Sequence, residues 1–307
     1  MLHIKDQLEV TKDDLVREFS VGAKSLSLDQ ITRQNLQCLL AEFDDRQEEY
    51  WSTLSQLNTI FQGAGVTLKT IKSLRSYPYI DSNVDIIVDK ADWRMLSAEI
   101  QRKVWRKPTI GEFLEQTSIE PYKLKYQPLK KGLVAAHFYG GIRWRYCTPF
   151  NLKNFDPALL WREVPIPSSA DISATSIPTI TVPTHELDIA IQCAHIATEN
   201  YRITLGEIIH IDSVLNSPDF DHDVLQAISN DLGLSRCVKG ICEIARAERD
   251  SSKAGELPAK PRQLSFLFML RVHLDYGLNN GIFGLFRAMT SLLWFPVMRM
   301  GRLILGR

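Results

Sequence analysis

Apolar positions recur at helical spacing at the start of the chain. Phe43, Tyr50, Leu54, Leu57 and Phe61 form one stripe with Gln47, so a helix is expected over 43–61, ended by Gly63 and Gly65. Before it, the spacing Ser27-x-x-Gln30 is a capping box for a separate helix at about 28–41. The period then changes. Val66-Thr-Leu-Lys-Thr-Ile71 is β-branched and short, and Ser82-Asn-Val-Asp-Ile-Ile-Val88 follows after a polar loop, which together predict two strands. Asp92 is placed to cap a helix from Trp93 to about Trp105, and further strands are expected near 121–127, 132–139, 141–147 and 178–182. After Pro183 the helical period returns. Thr184 caps a helix with the stripe Leu187, Ala190, Ile191 and Ala194, and helices follow at Leu205–Leu215, Asp221–Asn230 and Leu234–Glu248. The run DSSKAGELPAKPR at 250–262 reads as a linker or exposed loop.

These elements predict an α+β protein: an N-terminal helical arm (1–60), a mixed α/β domain (61–183), a helical domain (184–250), and a linker with an apolar, basic helical segment (251–307). A length of 307 residues with 45% hydrophobic and 23% charged residues suits one or two globular domains. A formal net charge of +0 supplies no basic surface, so no nucleic-acid partner is expected. The five cysteines (Cys38, Cys147, Cys193, Cys237 and Cys242) contain no CxxC pair and read as free, mostly buried thiols in a reducing compartment. The opening MLHIKDQLEVTKDDLVREF is too charged for a signal peptide, and a cytoplasmic location is expected. Residues 276–307 contain no acidic residue and four arginines (Arg287, Arg299, Arg302 and Arg307), with Trp294 and Phe295 between them. That segment has three open readings: a packed last helix, a partner-binding element, or a peripheral membrane contact.

The candidate chemistry sits at Asp81-Ser-Asn83-Val-Asp85. Residues two apart on a strand share a face, so Asn83 and Asp85 point together and Asp81 joins them from the strand's entry. Oxygen ligands of this kind suit Mg2+, which neutralises charge on a phosphate under attack. Lys69, Lys72, Ser73 and Arg75 lie just upstream, as candidate contacts for triphosphate oxygens.

Lys72-Ser73, then Tyr77-Pro78, then Ser82-Asn83-Val84-Asp85-Ile86-Ile87-Val88, then Val134-Ala-Ala-His137 with Trp144 beyond it, stand in the order of a known pattern. The chain resembles the uncharacterised nucleotidyltransferase-fold group linked to surface-polysaccharide gene neighbourhoods, over about 60–245. The resemblance implies a nucleotidyltransferase domain that transfers a nucleoside monophosphate from a nucleoside triphosphate to a hydroxyl acceptor. On that reading Asp81, Asn83 and Asp85 hold Mg2+, Lys69, Lys72, Ser73 and Arg75 meet the phosphates, and His137 is the candidate base by its position rather than by a match to the group. It also matches His195 and Asp212 on successive helices, read here as a His–Asp bond joining them. The chain departs from the pattern at Asn83, where the group has its first carboxylate, and at Ala135 and Ala136, where a third is expected. A catalytically inactive binding or scaffold module on the same fold is therefore the alternative.

Overall fold

The computed structural model describes residues 30–73, 83–88, 92, 95–96, 98–100, 105–106, 123–129, 131–140, 154–166, 179–253, 262–279, 281 and 289. The chain divides into two compact units, one of residues 1–144 and 161–182, the other of 145–160 and 183–307.

Where two helices were expected in the first unit, the described residues form one: α1 runs unbroken through Gln30–Gly63. The expected break near residue 42 falls in Ala41-Glu-Phe-Asp-Asp-Arg46, which has neither glycine nor proline to interrupt the backbone ladder. The helix stops where the glycines predict. Gly65 takes a φ of +70°, its N–H donates to the Gln62 carbonyl, and Val66 N–H reaches back to the Phe61 carbonyl. This paired closure needs a left-handed residue, which glycine adopts without a Cβ clash.

Strands β1 (Lys69–Ile71), β2 (Asn83–Val88), β3 (Trp105–Arg106), β4 (Lys123–Pro128), β5 (Ala135–Gly140), β6 (Trp161–Pro165) and β7 (Thr179–Pro183) form a mixed sheet in the order β3-β4-β5-β2-β1-β7-β6. β1 and β2 are antiparallel, β2 and β5 parallel, and β1 and β7 parallel. Three of the strand expectations match β2, β4 and β7 closely, and those at 66–71 and 132–139 overlap β1 and β5, with 66–68 outside the strand; the one at 141–147 lies outside the described residues. Residues 95–96 and 98–100 are helical, as expected, but Trp105 is not the helix end: it pairs with Pro128 as a strand. The edge strand β6 has no counterpart in the sequence reading, because five residues closed by Pro165 give too short a period to separate from a loop.

Alternation sorts the sheet's side chains onto two faces. Val84, Ile86 and Val88 of β2, Ala136 and Phe138 of β5, Tyr126 of β4, and Ile180 and Val182 of β7 join Tyr50, Leu54, Leu57, Ile60 and Phe61 of α1 in one core. The helical period of α1 thus meets the twofold period of the strands, and apolar burial of both holds the arm to the sheet. Within this core Thr53 is fully buried; its hydroxyl donates to the Glu49 carbonyl and accepts from the Val134 N–H at 2.9 Å. Thr53→Val keeps the volume but removes both hydrogen bonds of the buried hydroxyl, so urea denaturation should show a loss of about 1–3 kcal/mol. An unchanged midpoint would mean that Val134 finds another acceptor.

In the second unit, helices α2 (His185–His195), α3 (Leu205–Leu215), α4 (His222–Asp231), α5 (Ser235–Lys253) and α6 (Phe266–Asn279) account for most of the described residues, with a small ribbon of β8 (Arg202–Ile203) and β9 (Arg262–Gln263). The Thr184 cap follows the sequence reading; Thr204 and Asp221 cap the next two helices without having been singled out there. The Thr184 hydroxyl accepts from Leu187 N–H, Thr204 and Glu207 make a reciprocal capping box, and Asp221 accepts from the N–H groups of Asp223 and Val224. α2 passes into a wider turn at Ile196–Asn200, closed by Tyr201 at φ 56°. α5 continues past the expected end at Glu248 into the segment read as linker. Asp231 accepts from both the backbone and the side-chain amide of Asn154, at 3.0 and 2.7 Å, which ties residues 154–160 to the helices. Among the described residues no helix is long and apolar enough to cross a membrane. The 276–307 segment falls outside the described residues beyond Asn279, apart from Gly281 and Met289.

Candidate functional site

The second face of the first unit's sheet carries the candidate chemistry. Register sets it: Ile71 of β1 lies opposite Asp85 of β2, and Asp85 lies opposite His137 of β5. Directly opposed residues point to the same side, so Asn83, Asp85, His137 and Tyr139 share a face. The adjacency of the 66–71 and 83–88 segments expected from the sequence is present.

Asp85 is the centre of a buried polar network. Its Oδ2 lies 2.6 Å from Lys72 Nζ; its Oδ1 accepts from the Tyr139 hydroxyl at 3.0 Å and lies 3.3 Å from His137 Nδ1. The Asp85 side chain is 4% exposed and that of Lys72 10%. Lys72 reaches this position because it is the first residue past β1 and takes a left-handed φ of 58°, which turns its side chain back over the strand ends. The backbone strain of a non-glycine residue there is of order 1–3 kcal/mol, and the ion pair offsets it. Lys72 Nζ also sits 5.9 Å from the centre of the Tyr139 ring, a cation–π contact that the shared face makes possible.

The other sequence candidates fall around this network. Asn83 is half-buried on the same face, opposite Ala135. Ser73 donates from Oγ to the Ile71 carbonyl at 3.3 Å and so tightens the turn after β1. Lys69 lies on this face but extends to the Trp161 ring, 5.6 Å from its centre. Arg75 and Asp81 lie outside the described residues. Tyr139 was not singled out by the sequence reading. The signal was available, since it stands two residues beyond His137 and therefore on the same face of β5.

A magnesium ion needs free oxygen lone pairs on hard ligands. Both oxygens of Asp85 are already engaged by donors, and one of these is an ammonium that would repel a cation. Asn83 adds a neutral carbonyl at most, and no third acid stands on β5. Among the described residues no group of three or more histidine, cysteine, aspartate or glutamate side chains could hold a metal ion. The described donors do not fit Mg2+.

The helical unit has its own His–Asp bond. His210 Nε2 of α3 lies 3.0 Å from Asp188 Oδ2 of α2, and Gln192 Nε2 approaches the other oxygen at 3.5 Å. The sequence reading placed this link at His195 and Asp212. On α3, residues 210 and 212 are about 200° apart around the axis, so only one of them faces α2. That residue is His210, which is buried, while Asp212 is half-buried and accepts from Asn216 Nδ2 at 3.0 Å. The bond holds two helices together. Compared with known proteins, the chain matches no family model, no curated protein and no solved structure.

Proposed function

We propose that the first unit is a nucleotidyltransferase-like module that holds a nucleotide without transferring it. The observation that carries this reading is the buried Lys72–Asp85 pair at 2.6 Å. In the motif order that the chain resembles, Asp85 would be a metal ligand and Lys72 a phosphate contact. Here each satisfies the other, and the Tyr139 hydroxyl and the His137 ring lie against Oδ1 of the carboxylate. Stabilising charge at the reacting phosphate usually contributes more to such catalysis than any other effect. A site whose one sure carboxylate is neutralised internally lacks it. Lys69 and Ser73 are the described polar residues beside the turn after β1 that would meet a ligand's phosphates; Arg75, the further candidate from the sequence, lies outside the described residues.

The test pairs binding with turnover. Nucleoside triphosphates should raise the melting temperature of the full chain equally with and without magnesium. A ligand at a hundred times its Kd stabilises by about 2.7 kcal/mol. No label should pass from an alpha-labelled triphosphate to hydroxyl-bearing sugars or to the protein itself. Magnesium-dependent transfer that Asp85→Ala abolishes would replace this reading with an active transferase. No stabilisation by any nucleotide would leave a scaffold.

A further inference from the structure

Helix α6 is apolar on two opposite sides, and the nucleotide reading uses neither. Its inner side is fixed by contacts. Met269, Val272, His273 and Tyr276 are buried. The Phe268 ring lies so close to Gly240 of α5 that a side chain at 240 would collide with it, and Asp275 pairs with Arg236 of α5 at 3.0 Å. The outer side then follows from a rotation of about 100° per residue. Leu267, Arg271, Leu274 and Leu278 fall within about 60° of one another, opposite the buried set. The three leucines are 53%, 38% and 74% exposed, and Arg271 is exposed with them. Outside residues 266–289, the exposed large apolar side chains among the described residues are Met95, Leu129, Leu159 and Ile209, each on a separate element. Single exposures of that kind are ordinary, whereas a leucine stripe along one helix face marks a surface that meets something. We propose that the outer face of α6 docks on an anionic lipid bilayer, with the helix lying in the plane of the headgroups.

Charge selects this occupant. The whole chain has a formal net charge of +0, yet from Tyr276 to Arg307 the sequence carries Arg287, Arg299, Arg302 and Arg307 and no acidic residue. The charge on the stripe and in the sequence that continues from it is therefore of one sign. In a symmetric dimer the stripe would meet its own copy, which sets Arg271 and these arginines against like charges. The chain's own 280–307 segment brings no acid to meet Arg271 either. A bilayer containing phosphatidylserine offers apolar depth for the leucines and negative charge for the arginines together. Trp294, within the same acid-free run, is a residue type enriched at membrane interfaces. Neither three leucines nor a few arginines anchor a protein alone, so binding needs both parts.

The experiment floats the full-length chain on a density gradient with vesicles of phosphatidylcholine, alone or mixed with phosphatidylserine. The protein should rise with the mixed vesicles at low salt and stay behind with phosphatidylcholine alone. Added salt should release it, because screening shortens the reach of the arginines. Leu274→Gln combined with Leu278→Gln should lower the partition about tenfold. The melting temperature should not change, since both side chains are exposed and glutamine is a good helix former. Arg299→Ala and Arg302→Ala should each lower the partition about fivefold. Equal binding to both kinds of vesicle, binding to neither, or full binding by the leucine variant would overturn the proposal. So would a concentration-dependent dimer that the leucine variant dissolves, which assigns the stripe to a second copy. A lowered melting temperature in that variant would also overturn it, by assigning the stripe to the chain's own C-terminal segment.

Discussion

Lys72→Met should lower the stability of the first unit by about 3–5 kcal/mol, while Asp85→Asn costs about 1–2 kcal/mol. The pair is symmetric in charge but not in escape. Asp85 is a short side chain in the middle of β2, 4% exposed, and it cannot reach water when its cation is removed. Methionine fills the space of the lysine stem but takes the cation from a carboxylate that keeps the Tyr139 hydroxyl and the His137 ring beside it. Asparagine at 85 keeps a carbonyl for those donors. The ammonium it abandons sits on four flexible methylenes beginning at the turn after β1, and a long stem lets a charge move toward solvent. The double variant should recover part of the Lys72→Met loss, because it removes the buried charge as well as its partner. Tryptophan fluorescence in urea reads this unit, since Trp51, Trp93, Trp105, Trp144 and Trp161 belong to it and only Trp294 to the other. Equal losses in the two single variants would show that the network does not have this asymmetry, and Lys72 could then not be what holds Asp85 in place of a metal.

The same network shows what the sequence could and could not reveal. That Asp85 and Asn83 share a face, and that β1 lies beside β2, follows from alternation and short spacing, both local properties of the chain. That Lys72 turns inward does not. It depends on a left-handed backbone at one non-glycine residue and on Tyr139 presenting its ring and hydroxyl from a strand more than fifty residues away. The helical half was legible for the same reason as β1 and β2: its apolar period and the Thr184 cap are local signals, and a cap acts within three residues. The His–Asp bond was misplaced because it joins two helices, and helix rotation decides between His210 and Asp212. The continuity of α1 was missed through reading two periodic stretches as two elements when no residue between them breaks a helix.

Phe138→Ala should cost about 3–5 kcal/mol, the other large effect expected in this chain. Phe138 stands on β5, flanked in the sheet by β4 and β2, opposite Leu124 on one side and Ile86 on the other. It is 1% exposed and belongs to the core beneath α1, with its ring edge-on to Tyr126 at 5.4 Å between centroids. Alanine there removes the ring from apolar surroundings, forfeits the ring contact and leaves a cavity that rigid strands on both sides close only in part. Phe138→Leu, which keeps most of the volume, should lose about 1–1.5 kcal/mol. The location of the damage is the sharper test. His137 and Tyr139 flank Phe138 in sequence but point to the opposite face, so the Asp85 network is disturbed only through the backbone. Nucleotide stabilisation measured below the new melting temperature should therefore survive Phe138→Leu and be weakened by Tyr139→Phe, which takes a hydrogen-bond donor from Asp85 while leaving the core untouched. The reverse pattern, with binding lost in the leucine variant and retained in the phenylalanine variant, would move the ligand site from the Asp85 face to the helix-covered face of the sheet.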